Sequence, residues 1–87
     1  MKKTININLN STAFSIDEDA FAKLEEYLDD VRSRLDSEDA EEVMRDIEAR
    51  VGELFTERLG RYRNVVEIDD VQAVMERLGS PDTFGEA

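Results

Sequence analysis

The chain has no cysteine, no histidine and no tryptophan in its 87 residues. Lack of cysteine excludes disulfides and thiolate nucleophiles, and with histidine also gone no zinc site of the usual ligands can form. Chemistry that needs a histidine base is excluded as well. Basic residues are scarce: 11 Lys and Arg stand against 22 Asp and Glu, a formal charge of −11. Such a surface repels nucleic-acid phosphate and anionic lipid. Long apolar runs are missing too. A membrane-spanning helix needs about 20 consecutive apolar residues, and Val65-Val66 is already bounded by Asn64 and Glu67. The basic start Met1-Lys2-Lys3 is not followed by a signal-peptide core, because Asn6 and Asn8 interrupt it. The expectation from these absences is a soluble, cytoplasmic chain.

What is present suffices for one small core. Hydrophobic residues make up 40% of the chain, and its length allows a single domain. Ile5, Ile7 and Leu9 alternate with Thr4, Asn6 and Asn8, Asn10-Ser11-Thr12 signals a turn, and Phe14 and Ile16 alternate again. The pattern predicts a β-hairpin over residues 3–16. Asp17 or Asp19 can cap a helix over 18–35, whose apolar stripe is Phe21, Leu24, Leu28, Val31 and Leu35. Asp36-Ser37 offers the next cap, for a helix from about Glu38 to Leu59 that Gly60 stops. Val65 to Ile68 reads as a short strand able to pair with the hairpin. Asp69 would cap a last helix over 70–78, ended by Gly79 and Pro81. The predicted fold is α+β: an N-terminal hairpin, two long antiparallel helices, a short third strand and a C-terminal helix. Residues 1–79 form the domain and 80–87 a linker or tail, with Leu28 and Ile47 expected in the helix–helix seam.

The acidic clusters, Asp17-Glu18-Asp19, Asp29-Asp30, Asp36 to Glu42 and Asp69-Asp70, lack the central glycine of a calcium loop. Three of them fall at predicted helix starts, so they read as caps and solvated faces rather than metal sites. Only six aromatic residues are present, and Phe14, Phe21, Tyr27 and Phe55 fall on core stripes. That leaves little to line a pocket for paired-carboxylate chemistry. No catalytic residue, cofactor or metal is therefore expected. Two surface features remain. One is the acidic face of the first helix, Glu25, Glu26, Asp29 and Asp30, a candidate interaction surface. The other is the basic patch Arg58, Arg61 and Arg63 around Tyr62, which the negative end of the helix dipole already favours. Arg58 points among the apolar stripe. It reads as a stem laid along the core, with a bidentate pair to a carboxylate of the first helix or hairpin as the alternative. The strand at 4–9 either offers an open edge to a partner strand or is covered.

Three blocks carry a family resemblance. They are Met1 to Leu9 with Phe14 to Phe21, then Arg45 to Phe55, and Val66 to Met75 ending Leu78-Gly79-Ser80-Pro81. Together, and in this order, they resemble the N-terminal segment of Bacteroidetes-type phage-shock-protein C (PspC) domain proteins. One departure is the turn, glycine-rich in the family and Asn10-Ser11 here. The resemblance implies a cytoplasmic regulatory domain of an envelope-stress membrane protein, joined to the membrane only through a PspC region beyond Ala87. It implies no active site. The protein partner and the oligomeric state are open, and no nucleic acid is expected. A small soluble transcription-associated regulator is the alternative, although the last helix would offer DNA only Gln72, Glu76 and Arg77.

Overall fold

β1 (Thr4–Leu9) and β2 (Thr12–Asp17) form the antiparallel hairpin in the computed structural model, which describes residues 3–35 and 38–81. The register pairs Leu9 with Thr12, Ile7 with Phe14 and Ile5 with Ile16. Only Asn10 and Ser11 lie between the strands, and both adopt positive φ, 49° and 72°. This is the type I′ turn that matches strand twist. Asn enters that region readily and Ser less so, so the turn forms without the glycine of the resembling family.

α1 (Glu18–Ser33) follows without a loop. Asp17 holds its N-cap position, but its side chain makes no capping bond. α2 (Ala40–Leu59) is the longest element, about 30 Å at 1.5 Å per residue. It begins two residues later than expected, after Asp39, and the expected cap at Asp36-Ser37 lies outside the described residues. Gly60 ends it with φ 60°, its N–H donating to the Thr56 carbonyl at 3.1 Å. The third strand, β3 (Val65–Val66), runs parallel to β2, giving the sheet order β1-β2-β3. A parallel neighbour needs a long crossover, and α1 and α2 supply it. α3 (Ile68–Leu78) ends at Gly79, φ 100°. Its N-cap is Glu67 rather than the expected Asp69, because Glu67 and Asp70 bond reciprocally in a capping box. Residues 80 and 81 extend the described chain, whereas the rest of the expected tail, with Phe84, lies outside the described residues.

One sheet face meets solvent and the other the helices. Leu9, Phe14 and Ile16 on the inner face join Leu24, Val31, Val51, Phe55, Val66, Val71 and Val74 in one core. Phe14 and Phe55 meet edge to face, centroids 5.7 Å apart. α1 packs more extensively against α3 than against α2. Tyr27 fixes that contact by donating its O–H to the Gly79 carbonyl at 2.7 Å. Ile47 is buried as expected, but Leu28 is only half-buried. β3 brings α3 under the sheet beside α1, and the side of α1 that carries Leu28 is left facing a groove.

Candidate functional site

Asp70 is a buried carboxylate held by several hydrogen bonds among the described residues. It is 1% exposed. Arg58 donates from Nε to Oδ1 at 2.8 Å, and Arg63 grips the carboxylate with both terminal nitrogens, Nη1 to Oδ1 at 3.0 Å and Nη2 to Oδ2. The Glu67 N–H completes the set at 2.8 Å. Burial, the largest single influence, pushes the carboxyl pKa up. The hydrogen bonds from Arg63, Glu67 and Arg58 and the Arg63 charge outweigh it and lower the group to about 2. The carboxylate is ionised throughout the neutral range, every contact is internal, and it cannot serve as a general acid. This cluster ties the end of α2 and the loop after it to β3 and α3.

The same cluster redistributes the basic patch. Arg58 is neither a bare stem nor paired with α1 or the hairpin; its partner is Asp70 of α3. Arg63 is turned inward to the same carboxylate. Arg61 alone makes no ion pair among the described residues, and it stands next to Tyr62, 93% exposed. The three arginines therefore do not present one cationic face.

The acidic side chains of α1 lie where the periodicity puts them: Glu25, Glu26, Asp29 and Asp30 are all exposed. Asp30 pairs with Arg34 one turn on, at 3.0 Å and open to solvent. Glu25 and Asp29 border a groove of about 220 Å³ between α1, β1 and α2. Ile7 and Leu9 form one wall, Phe21 and Leu28 the other, and Glu48 of α2 and Arg32 close the end. Among the described residues Glu25, Asp29 and Glu48 make no ion pairs. A second groove, bounded by Ala40, Met44 and Arg45, shares Arg32 and Glu48 with the first and continues it.

β1 borders this groove with its outer edge, and among the described residues β2 is its only neighbour in the sheet. Leu9 and Thr12 flank a two-residue turn and so form a hydrogen-bonded pair, as do Ile7 with Phe14 and Ile5 with Ile16. The N–H and C=O groups of Thr4, Asn6 and Asn8 consequently point away from the sheet. The edge carries no proline, no bulge and no charged side chain between Thr4 and Leu9, so it lacks the usual protections against strand addition.

Sequence reasoning missed Glu48 as part of the groove and Asp70 as a buried anchor. Glu48 falls on the polar side of an amphipathic helix, and nothing in the pattern says which neighbour it faces. Asp70 had a signal: Glu67 and Asp70 stand three apart before an apolar run. Among the described residues, no three Asp or Glu side chains converge to hold a metal ion, and no helix is long and apolar enough to cross a membrane. No protein-family model, curated protein or solved structure matches the chain.

Proposed function

We propose that the chain is a non-enzymatic regulatory domain that works by protein contact, the cytoplasmic part of a PspC-type envelope-stress membrane protein. The observation that carries the contact role is the outer β1 edge, which pairs with no strand but β2 among the described residues, alongside a groove with an apolar floor and, at its rim, carboxylates that make no ion pair among those residues. The PspC assignment draws its support from the three sequence blocks, with the cytoplasmic location following from it. The non-enzymatic role draws on the state of Asp70, whose carboxyl pKa is lowered to about 2. Asp70 is buried and already bonded to Arg58, Arg63 and Glu67, which leaves it no open position for a substrate.

The test is site-specific photo-crosslinking of the full-length protein in its native cells. A crosslinker at Glu25 or Asn6 should capture a discrete protein, while one at Tyr62 or Arg77 should not. Equal capture from all four positions, or none from the first two, would contradict a contact role for this face.

A further inference from the structure

The groove and the strand edge together specify the kind of partner. We infer that β1 accepts an extended peptide segment as a fourth strand, one with an apolar residue flanked at alternate positions by lysine or arginine. This rests on the protein-contact reading above and adds the partner's chemistry to it.

The backbone sets the mode. Thr4, Asn6 and Asn8 direct their N–H and C=O groups outward over the length of β1, a template for a pairing strand. A strand laid there sits about 4.8 Å beyond β1 and turns every second side chain toward the helices. Those side chains arrive over the groove formed with α1. An apolar one opposite Ile7 meets Phe21 and Leu28, both half-buried and packed at the margin of the core. Its neighbours two residues away on either side come within reach of Glu25, Asp29 and Glu48. These carboxylates have no ion pair among the described residues, and the chain carries −11 overall. Cationic side chains at those two positions complement them. The other side chains of the added strand face solvent beside Thr4, Asn6 and Asn8, where small polar residues fit.

Charge also argues against a second copy as the occupant. Edge-to-edge pairing of two β1 strands would bring two acidic rims and two chains of −11 together. Like charges placed so oppose association by several kcal/mol.

The probe is a fluorescent peptide of about nine residues, roughly the length of a strand that covers β1, with Lys, Val and Lys at alternate positions among threonines. Its controls carry Glu for Lys, or N-methyl groups on alternate backbone nitrogens. Binding to residues 1–87 is followed by anisotropy, and the site by amide chemical shifts. The Lys peptide should bind and shift the amides of Thr4, Asn6 and Asn8. The Glu and N-methyl peptides should bind at least about tenfold more weakly. Asn6→Pro and the double variant E25K/D29K, both checked for folding, should weaken the Lys peptide to a similar degree. The N-methyl control gives the backbone readout should Asn6→Pro fail to fold.

Binding that ignores N-methylation and shifts only α1 amides would overturn strand addition while leaving a protein-contact role standing. No binding of any peptide at about 1 mM, the weak limit of useful affinity, would overturn the proposal alone, because crosslinking in cells judges the contact role separately. Concentration-dependent dimerisation that shifts the β1 amides would replace the basic peptide with a second copy.

Discussion

Asp70 lies where α2, β3 and α3 meet, and its stabilising effect can be separated from the rest by pH. Its pKa is lowered from 3.8 to about 2 in the folded chain. A carboxylate held below its unfolded value stabilises the fold fully above pH 4 to 5, and the effect is lost as pH falls through about 2. A drop of that size corresponds to on the order of 2 kcal/mol. Because Arg58 and Arg63 are about 40% exposed, removing the carboxylate returns them to water rather than stranding them. Asp70→Asn should therefore cost about 2–3 kcal/mol at pH 6, at or below the ~3–5 kcal/mol of breaking a fully buried pair. Urea melts at pH 6 and near pH 2 should show the gap between wild type and variant narrowing. A gap that stays constant with pH would mean the carboxylate's charge is not what holds the cluster. Gly52 gives a prediction of opposite sign. It is buried inside α2, and a Cβ there would meet Leu9 and Phe14 at 3.6–3.7 Å, ordinary contact. Gly52→Ala should raise stability by about 0.5–1 kcal/mol through helix propensity. A fall in the melting midpoint would show that the hairpin sits closer to α2 than described.

The elements differ in how plainly the sequence announces them. Strict alternation from Thr4 to Leu9 and the three-and-four spacing of Phe21, Leu24, Leu28 and Val31 place β1 and α1 to within two residues. Local periodicity is a property of one segment, so it reports which face is apolar and not what lies against it. For that reason Leu28 read as a seam residue, while the structure gives the buried position to Leu24, 2% exposed, and leaves Leu28 half-buried at the groove. The pairing of Asp70 with Arg58 was hidden for the same reason, being a charge contact across 12 residues that no hydrophobic pattern encodes. The start of α3 was misplaced because its capping box is built from Glu67 and Asp70 and not from the Ser or Thr that marks the usual signature. Of the candidate site, the acidic face was legible and the groove was not. The elements predict a contrast: Leu24→Ala should cost about 2–4 kcal/mol and Leu28→Ala about 1. Urea melts of the two variants give the comparison, and equal losses would place Leu28 in the core after all.

At the scale of the whole molecule, charge dominates. The −11 is spread over a small surface, with Glu25, Glu26, Asp29 and Asp30 on neighbouring turns of α1. Exposed pairs such as Asp30–Arg34 and Arg50–Glu53 each contribute only a few tenths of a kcal/mol, less than the repulsion they sit among. Sodium chloride at about 0.15–0.3 M screens over less than about 8–10 Å, so the melting midpoint should rise from its low-salt value. A clear fall would mean that ion pairs, with Asp70 and its arginines foremost, outweigh the repulsion. The same charge opposes close approach of two copies, and under the strand-addition proposal it favours cationic segments at β1.

The central claim is that the outer edge of β1 is open, and amide hydrogen exchange of residues 1–87 alone, resolved by residue, tests it most directly. The N–H groups of Ile5, Ile7 and Leu9 face β2, while those of Thr4, Asn6 and Asn8 face outward. Exchange should therefore alternate along the strand, slow at Ile5, Ile7 and Leu9 and near the unprotected rate at Thr4, Asn6 and Asn8. Slow exchange at all six would show that something already covers the edge, and would contradict the account.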